Sequence, residues 1–112
     1  MAKYERQLTG DFDQVLRLLE RAAHKSVSAS FEDQSDFTHG SVRVAVRVYE
    51  RYSMIGSNRV SLNITLIGNG GELFLSAITS GGSQAMFFKI NTFGEESFLH
   101  TIRSEVEAYL RP

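Results

Sequence analysis

The spacing of apolar residues divides the chain into segments of different period. Lys3 to Leu8 is a short mixed run that predicts a strand, broken by Thr9 and Gly10. From Asp11 the period changes. Phe12, Val15, Leu16, Leu19, Ala22 and Ala23 recur three or four residues apart, while Gln14, Arg17, Arg21 and His24 take the other side. This spacing predicts an amphipathic helix, opened by a capping box of Asp11 and Gln14 and closing near Lys25. Val27, Ala29 and Phe31 alternate with serines and predict a second strand, followed by a polar loop from Glu32 to Gly40.

The clearest alternation comes next. Val42, Val44, Val46 and Val48 face one way and Arg43, Ala45, Arg47, Tyr49 and Arg51 the other, which predicts a half-buried strand with its valines inward. Beyond a turn at Gly56, Ser57 and Asn58 the pattern repeats. Val60, Leu62, Ile64 and Leu66 are expected inward and Ser61, Asn63 and Thr65 outward, giving an antiparallel hairpin. Gly68 to Gly71 supplies residues that accept the positive φ of a tight turn, and a strand over Glu72 to Thr79 follows. A turn at Gly81 and Gly82 and a strand over Gln84 to Asn91 come after it. Phe98, Leu99, Ile102, Val106, Tyr109 and Leu110 trace a last helix that begins between Thr92 and Glu95, with Arg103 and Glu107 spaced to pair across one turn.

Short hairpins make the sheet mainly antiparallel, and two amphipathic helices cover one of its faces. The expected architecture is α+β, a two-layer sandwich with a meander sheet of about five to six strands and two helices on one face, in a single domain over residues 1–112. That order resembles the strand, helix, four strands, helix pattern of the TATA-binding-protein-like fold and, more loosely, the helix-grip fold. The segments SVSASFEDQSDF, VRVAVRVYERYS, NRVSLNITLIGNG and LSAITSGGSQAMFFKINTFGEE resemble a small bacterial family of uncharacterised proteins, a domain of unknown function. This resemblance spans essentially the whole chain. It implies the family's fold and a bacterial origin, and it brings no catalytic residue, cofactor or substrate.

Composition narrows the function classes. A chain of 112 residues, 42% hydrophobic and 22% charged, has the make-up of an ordinary folded domain. A formal net charge of −1 provides no global field toward nucleic acid or anionic lipid. With no cysteine there is no disulfide, thiolate metal site or cysteine nucleophile. No apolar segment is long enough for a signal or a membrane span, so a cytoplasmic location without membrane contact is expected.

Candidate chemistry is sparse. Ser80, Gly81, Gly82 and Ser83 invite a phosphate loop, but apolar alternation follows them instead of a helix start, and neither a P-loop nor a dinucleotide spacing is present. They are expected to form a hairpin turn that can touch a ligand only at the rim of the sheet. His24, His39 and His100 lack clustered partners, so neither a metal site nor a cofactor is expected. Glu95 and Glu96 suit the first turn of a helix and its dipole.

The strongest candidate is the sheet face turned away from the helices. There Arg43, Arg47, Tyr49 and Asn63 are expected to border an apolar zone of Leu73, Leu75, Ala85 and Phe87, with Lys89 beside it. Such a face suits a second copy of the chain, making a homodimer, or an amphipathic small ligand whose carboxylate or phosphate pairs with arginine. The enzymatic alternative would gather Arg47, Tyr49, Asn63, Ser76 and Lys89 around a cavity. Nucleic-acid binding on the same face would rest on the arginines alone, and the near-zero net charge disfavours it.

Overall fold

Which side of each strand faces the helices is set by pairing register. A computed structural model describes residues 2–25, 29–52, 59–81 and 88–111, of which 88–96 are described as backbone alone. The elements in chain order are β1 (Ala2–Thr9), α1 (Phe12–His24), β2 (Ala29–His39), β3 (Val42–Tyr52), β4 (Arg59–Asn69), β5 (Glu72–Gly81) and α2 (Phe88–Leu110). Strands β2 to β5 form a meander, and β1 joins it beside β5, giving the order β1-β5-β4-β3-β2 with every neighbour antiparallel. This is the expected α+β sandwich, with five strands.

Local chemistry accounts for the boundaries. The Asp11 carboxylate accepts from the Gln14 backbone N–H at 3.0 Å, capping α1, and Lys25 closes its other end. Gly40 and Gly70 have φ of 59° and 64° in the β2–β3 and β4–β5 hairpin turns, where a side chain would be strained. Gly68 is required for a different reason. A Cβ there would stand 2.6 Å from the Phe12 ring, so glycine lets the start of α1 settle on β4.

The structure corrects the expected elements at three points. Of the stretch Glu32 to Gly40, all but the last residue forms most of strand β2, paired with β3 down to the turn at Gly40 and Ser41. Its polar sequence is tolerated because an edge strand gains backbone hydrogen bonds from one neighbour while its side chains stay exposed. The strand expected over Gln84 to Asn91 is overturned at residues 88–91, which begin α2, several residues before the expected start. Short apolar runs fit either period, which is why the alternation there misleads. Gln84 to Phe87, Gly82 and the turn at Gly56 to Asn58 lie outside the described residues.

The third correction is the largest. Strand β3 is turned the other way: Arg47 pairs with Ile64 and Tyr49 with Leu62, so the Arg43-Ala45-Arg47-Tyr49 side shares the face of β4 that carries the core. Val44, Val46 and Val48 pair with Ile67, Thr65 and Asn63 on the outer face. The inner face of β4 and β5, with Val60, Leu62, Ile64, Leu66, Leu73, Leu75 and Ala77, joins Val15, Leu19, Ala22 and Ala23 of α1 and Phe98, Leu99, Ile102 and Val106 of α2 in one buried cluster. Helix α2 rests on β5, β1 and β4. Helix α1 lies against α2 and reaches across β4, β3 and β2.

Candidate functional site

On the inner side of β3 the polar residues meet a matching stripe of α1. Asp13, Glu20 and His24 lie on one side of the helix, and Arg43, Arg47 and Tyr49 alternate along the strand beneath. Seven helical residues advance about 10 Å and four strand residues about 13 Å, so the two series stay nearly in step. Arg43 holds Asp13 with two nitrogens at 3.0 and 3.1 Å, and Arg47 Nε reaches Glu20 at 2.9 Å. The other fork of Arg47 meets Asp36 of β2 at 3.0 Å. At the far end the His24 ring stands edge-on to Tyr49, 5.2 Å between centroids, and Phe31 of β2 flanks Tyr49 at 5.8 Å.

These contacts hold the helix over the sheet without closing the space between them. Arg47 is only 5% exposed, and its two carboxylate partners make that burial tolerable. Burial pulls its guanidinium down, but the hydrogen bonds to Glu20 and Asp36 more than offset this and leave it raised. Burial, then the nearby Glu20, pushes the Tyr49 phenol up. Asp13 is held below the usual carboxylate range, chiefly by its hydrogen bonds to Arg43. Further along β3, Arg51 lies over the Phe98 ring at 4.6 Å, and burial lowers its guanidinium.

Beside this ladder, between α1 and the β2–β3 edge, opens a cleft of about 670 Å³. Arg17, Glu20, Arg21, His24 and Lys25 line it from the helix, and Phe31, Gln34 and Tyr49 from the strands. Its helix side is mostly cationic and its floor aromatic. Lys25 is partly engaged, bridging to Glu105 of α2 at 2.9 Å. Neither Arg17 nor Arg21 makes an ion pair among the described residues, and both are exposed.

The residues expected to share one face are dispersed. Arg43, Arg47 and Tyr49 are on the helix side, and Asn63 is exposed on the opposite one. Leu73 and Leu75, expected to be uncovered, are 4% and 0% exposed in the core formed with α2. Ala85 and Phe87 lie outside the described residues, as do Gly82 and Ser83; Lys89 belongs to the first turn of α2, and Ser80 and Gly81 end β5. The five polar groups of the enzymatic alternative are not brought together, because Asn63 and Ser76 project from the outer face while Arg47 and Tyr49 project from the inner one. The arginines invoked for nucleic acid also face α1 and α2.

The sequence reading missed Arg17, Arg21, Lys25, Phe31 and Gln34. A signal was present: Asp13 and Glu20 stand seven apart on α1, matching Arg43 and Arg47, and Arg17, Arg21 and His24 line the same side of the helix. Among the described residues no three His, Asp or Glu side chains gather as metal ligands, and no helix is long and apolar enough to cross a membrane.

Fold and cleft together define a small α+β domain whose first helix and one sheet edge enclose a cationic, aromatic-floored space. A profile described as "Family of unknown function (DUF6054)" matches residues 1–110, and the chain belongs to that family. No curated protein matches it. Among solved structures it is similar to the crystal structure of TTHA0849 from Thermus thermophilus, at 10% identity and a TM-score of 0.31, over 98% of this chain and 99% of that one.

Proposed function

We propose that this protein is a binding module whose cleft between α1 and the β2–β3 edge takes a small amphipathic anion. The observation that carries the reading is the pairing of Arg17 and Arg21, exposed and without ion-pair partners among the described residues, with an aromatic floor of Tyr49 and Phe31 in one cleft of about 670 Å³. Planar guanidinium groups recognise carboxylate or phosphate in two-pronged fashion, and the Phe31 ring, exposed over the buried Tyr49, offers an apolar seat for the rest of the molecule. Glu20 also lines the cleft, but its carboxylate is directed to Arg47 at 2.9 Å, and the helix side keeps Arg17, Arg21 and Lys25. The ligand belongs on the helix side of β3, where the arginine and tyrosine row lies, and not on the outer face.

Naphthyl phosphate serves as the probe, with binding followed by titration calorimetry at low salt. The expected result is saturable binding that weakens about tenfold or more in the Arg17→Ala/Arg21→Ala variant, a loss of at least about 1.4 kcal/mol. Equal binding by wild type and variant, or none by either, overturns the reading.

A further inference from the structure

Both helices lie on one side of the sheet, and no described element lies over the other side. That outer face is uncharged at its centre and mixes apolar with polar residues, Thr65, Asn63 and Ser76 lying between Ile67, Ile78 and the valines of β3. Val44 and Val46 are half-buried, Ile67 and Ile78 are each 37% exposed, and Phe37 of β2 is 62% exposed on the same side. Across β3, β4 and β5 the outward positions from Val42 to Val48, Ser61 to Asn69 and Phe74 to Ser80 hold no Asp, Glu, Lys or Arg.

We propose that this outer face is the interface of a twofold homodimer, packed sheet on sheet with the axis parallel to the strands and above β4. The proposal is independent of the cleft reading. Its basis is the register, which makes the face self-complementary. One row across the sheet reads Lys3, Ile78, Asn63, Val48, Asp33, and another reads Gln7, Phe74, Ile67, Val44, Phe37. A rotation about an axis above β4 keeps each row on itself and reverses its order. Lys3, which bridges to Glu5 at 3.8 Å within its own copy, then meets Asp33 of the second copy twice, at the two rims, while Ile67 meets Ile67 and Phe74 meets Val44 nearer the centre, beside the uncharged Thr65 and Asn63. Aligned packing at about 30° displaces the rim pairs by a few ångströms, within the reach of a lysine.

Area agrees with this. Five strands about 4.8 Å apart and about eight residues long project roughly 600 Å², and side-chain relief carries the accessible surface toward the ~800 Å² per partner of a stable complex. A charge-free centre with charges at the rim is the usual anatomy of such interfaces. The edge of β2 is a poorer place to join, since Glu32, Asp33 and Asp36 and the irregularity between Phe31 and Asp33 obstruct strand addition.

The test is the oligomeric mass of the full chain by sedimentation equilibrium and native mass spectrometry. The wild type is expected at the dimer mass and Ile67→Lys at the monomer mass, since that change sets two like charges on the axis. Circular dichroism checks that the variant is folded. Lys3→Asp is expected to weaken the dimer several-fold, and adding Asp33→Lys to restore it, an outcome that only this axis produces. Because the chain has no cysteine, Ile67→Cys supplies a unique thiol that a short bismaleimide joins to its own copy across the axis. A monomeric wild type, a dimer that survives Ile67→Lys, or a failure of Ile67→Cys to crosslink overturns the proposal.

Discussion

The two helices sit on the same side of the same sheet and share one apolar core, but the part of α1 that lies over β3 is seated by different contacts from those under α2. Under α2 the contact is apolar: Phe98, Leu99, Ile102 and Val106 join Leu73, Leu75 and Ala77 in the core, and these side chains are almost entirely buried. Over β3, α1 is held by Asp13 on Arg43, Glu20 on Arg47 and the edge of His24 on Tyr49. Apolar burial is non-directional and fills the available volume. Ion pairs are directional and fix which side chains meet. The cleft lies beside the ionic contacts, between α1 and the β2–β3 edge.

Removing the apolar seat should have the largest effect. Phe98→Ala is expected to cost about 3–5 kcal/mol in urea unfolding, as other large-to-small changes in a close-packed core do. The ionic seat should respond asymmetrically. Glu20→Ala leaves a buried guanidinium with Asp36 alone and is expected to cost about 2–3 kcal/mol, whereas Arg47→Met leaves only carboxylates that water can reach and should cost about 1 kcal/mol or less. Equal losses in the two variants would show that the pair contributes by attraction rather than by satisfying a buried charge.

The smallest effect concerns pH, at the α2 end. Tyr4 donates to Glu107, which also holds Arg6 at 3.0 Å, and burial followed by that hydrogen bond pushes the Tyr4 phenol up from 10.0 to about 12. A raised pKa means that the stabilisation is complete below pH 10 and is lost as the pH climbs toward about 12. Tyr4→Phe should flatten that part of the stability profile, and tyrosinate absorbance during unfolding checks it. Glu107, lowered by Tyr4 and then Arg6, acts in the opposite sense: its contribution is present above the ordinary carboxylate range and is lost as the pH falls through it.

Most of the fold was legible in the sequence because burial writes a period. The α1 stripe, the Asp11 cap, the inward residues of β4 and the core-facing residues of α2 all follow from one-sided burial. Beyond Phe31 strand β2 left no such mark, since an exposed edge strand places no demand on its side chains. At residues 88–91 alternating apolar residues proved compatible with a helix start. The candidate site was legible only in fragments. Arg43, Arg47 and Tyr49 stood out as a cluster, but their expected face was wrong and their partners on α1 went unread.

By itself the sequence determined the order of most elements, the antiparallel hairpins and the two-sidedness of β3, since each depends on residues close in the chain. Tertiary structure alone decided which side of β3 is inside. Alternation states that two faces differ and is silent on which one meets a helix. Valines are the natural choice for the interior, but Asp13 and Glu20, far away in sequence and brought over β3 by α1, make it favourable to turn the arginines inward and leave the valines on the outer face.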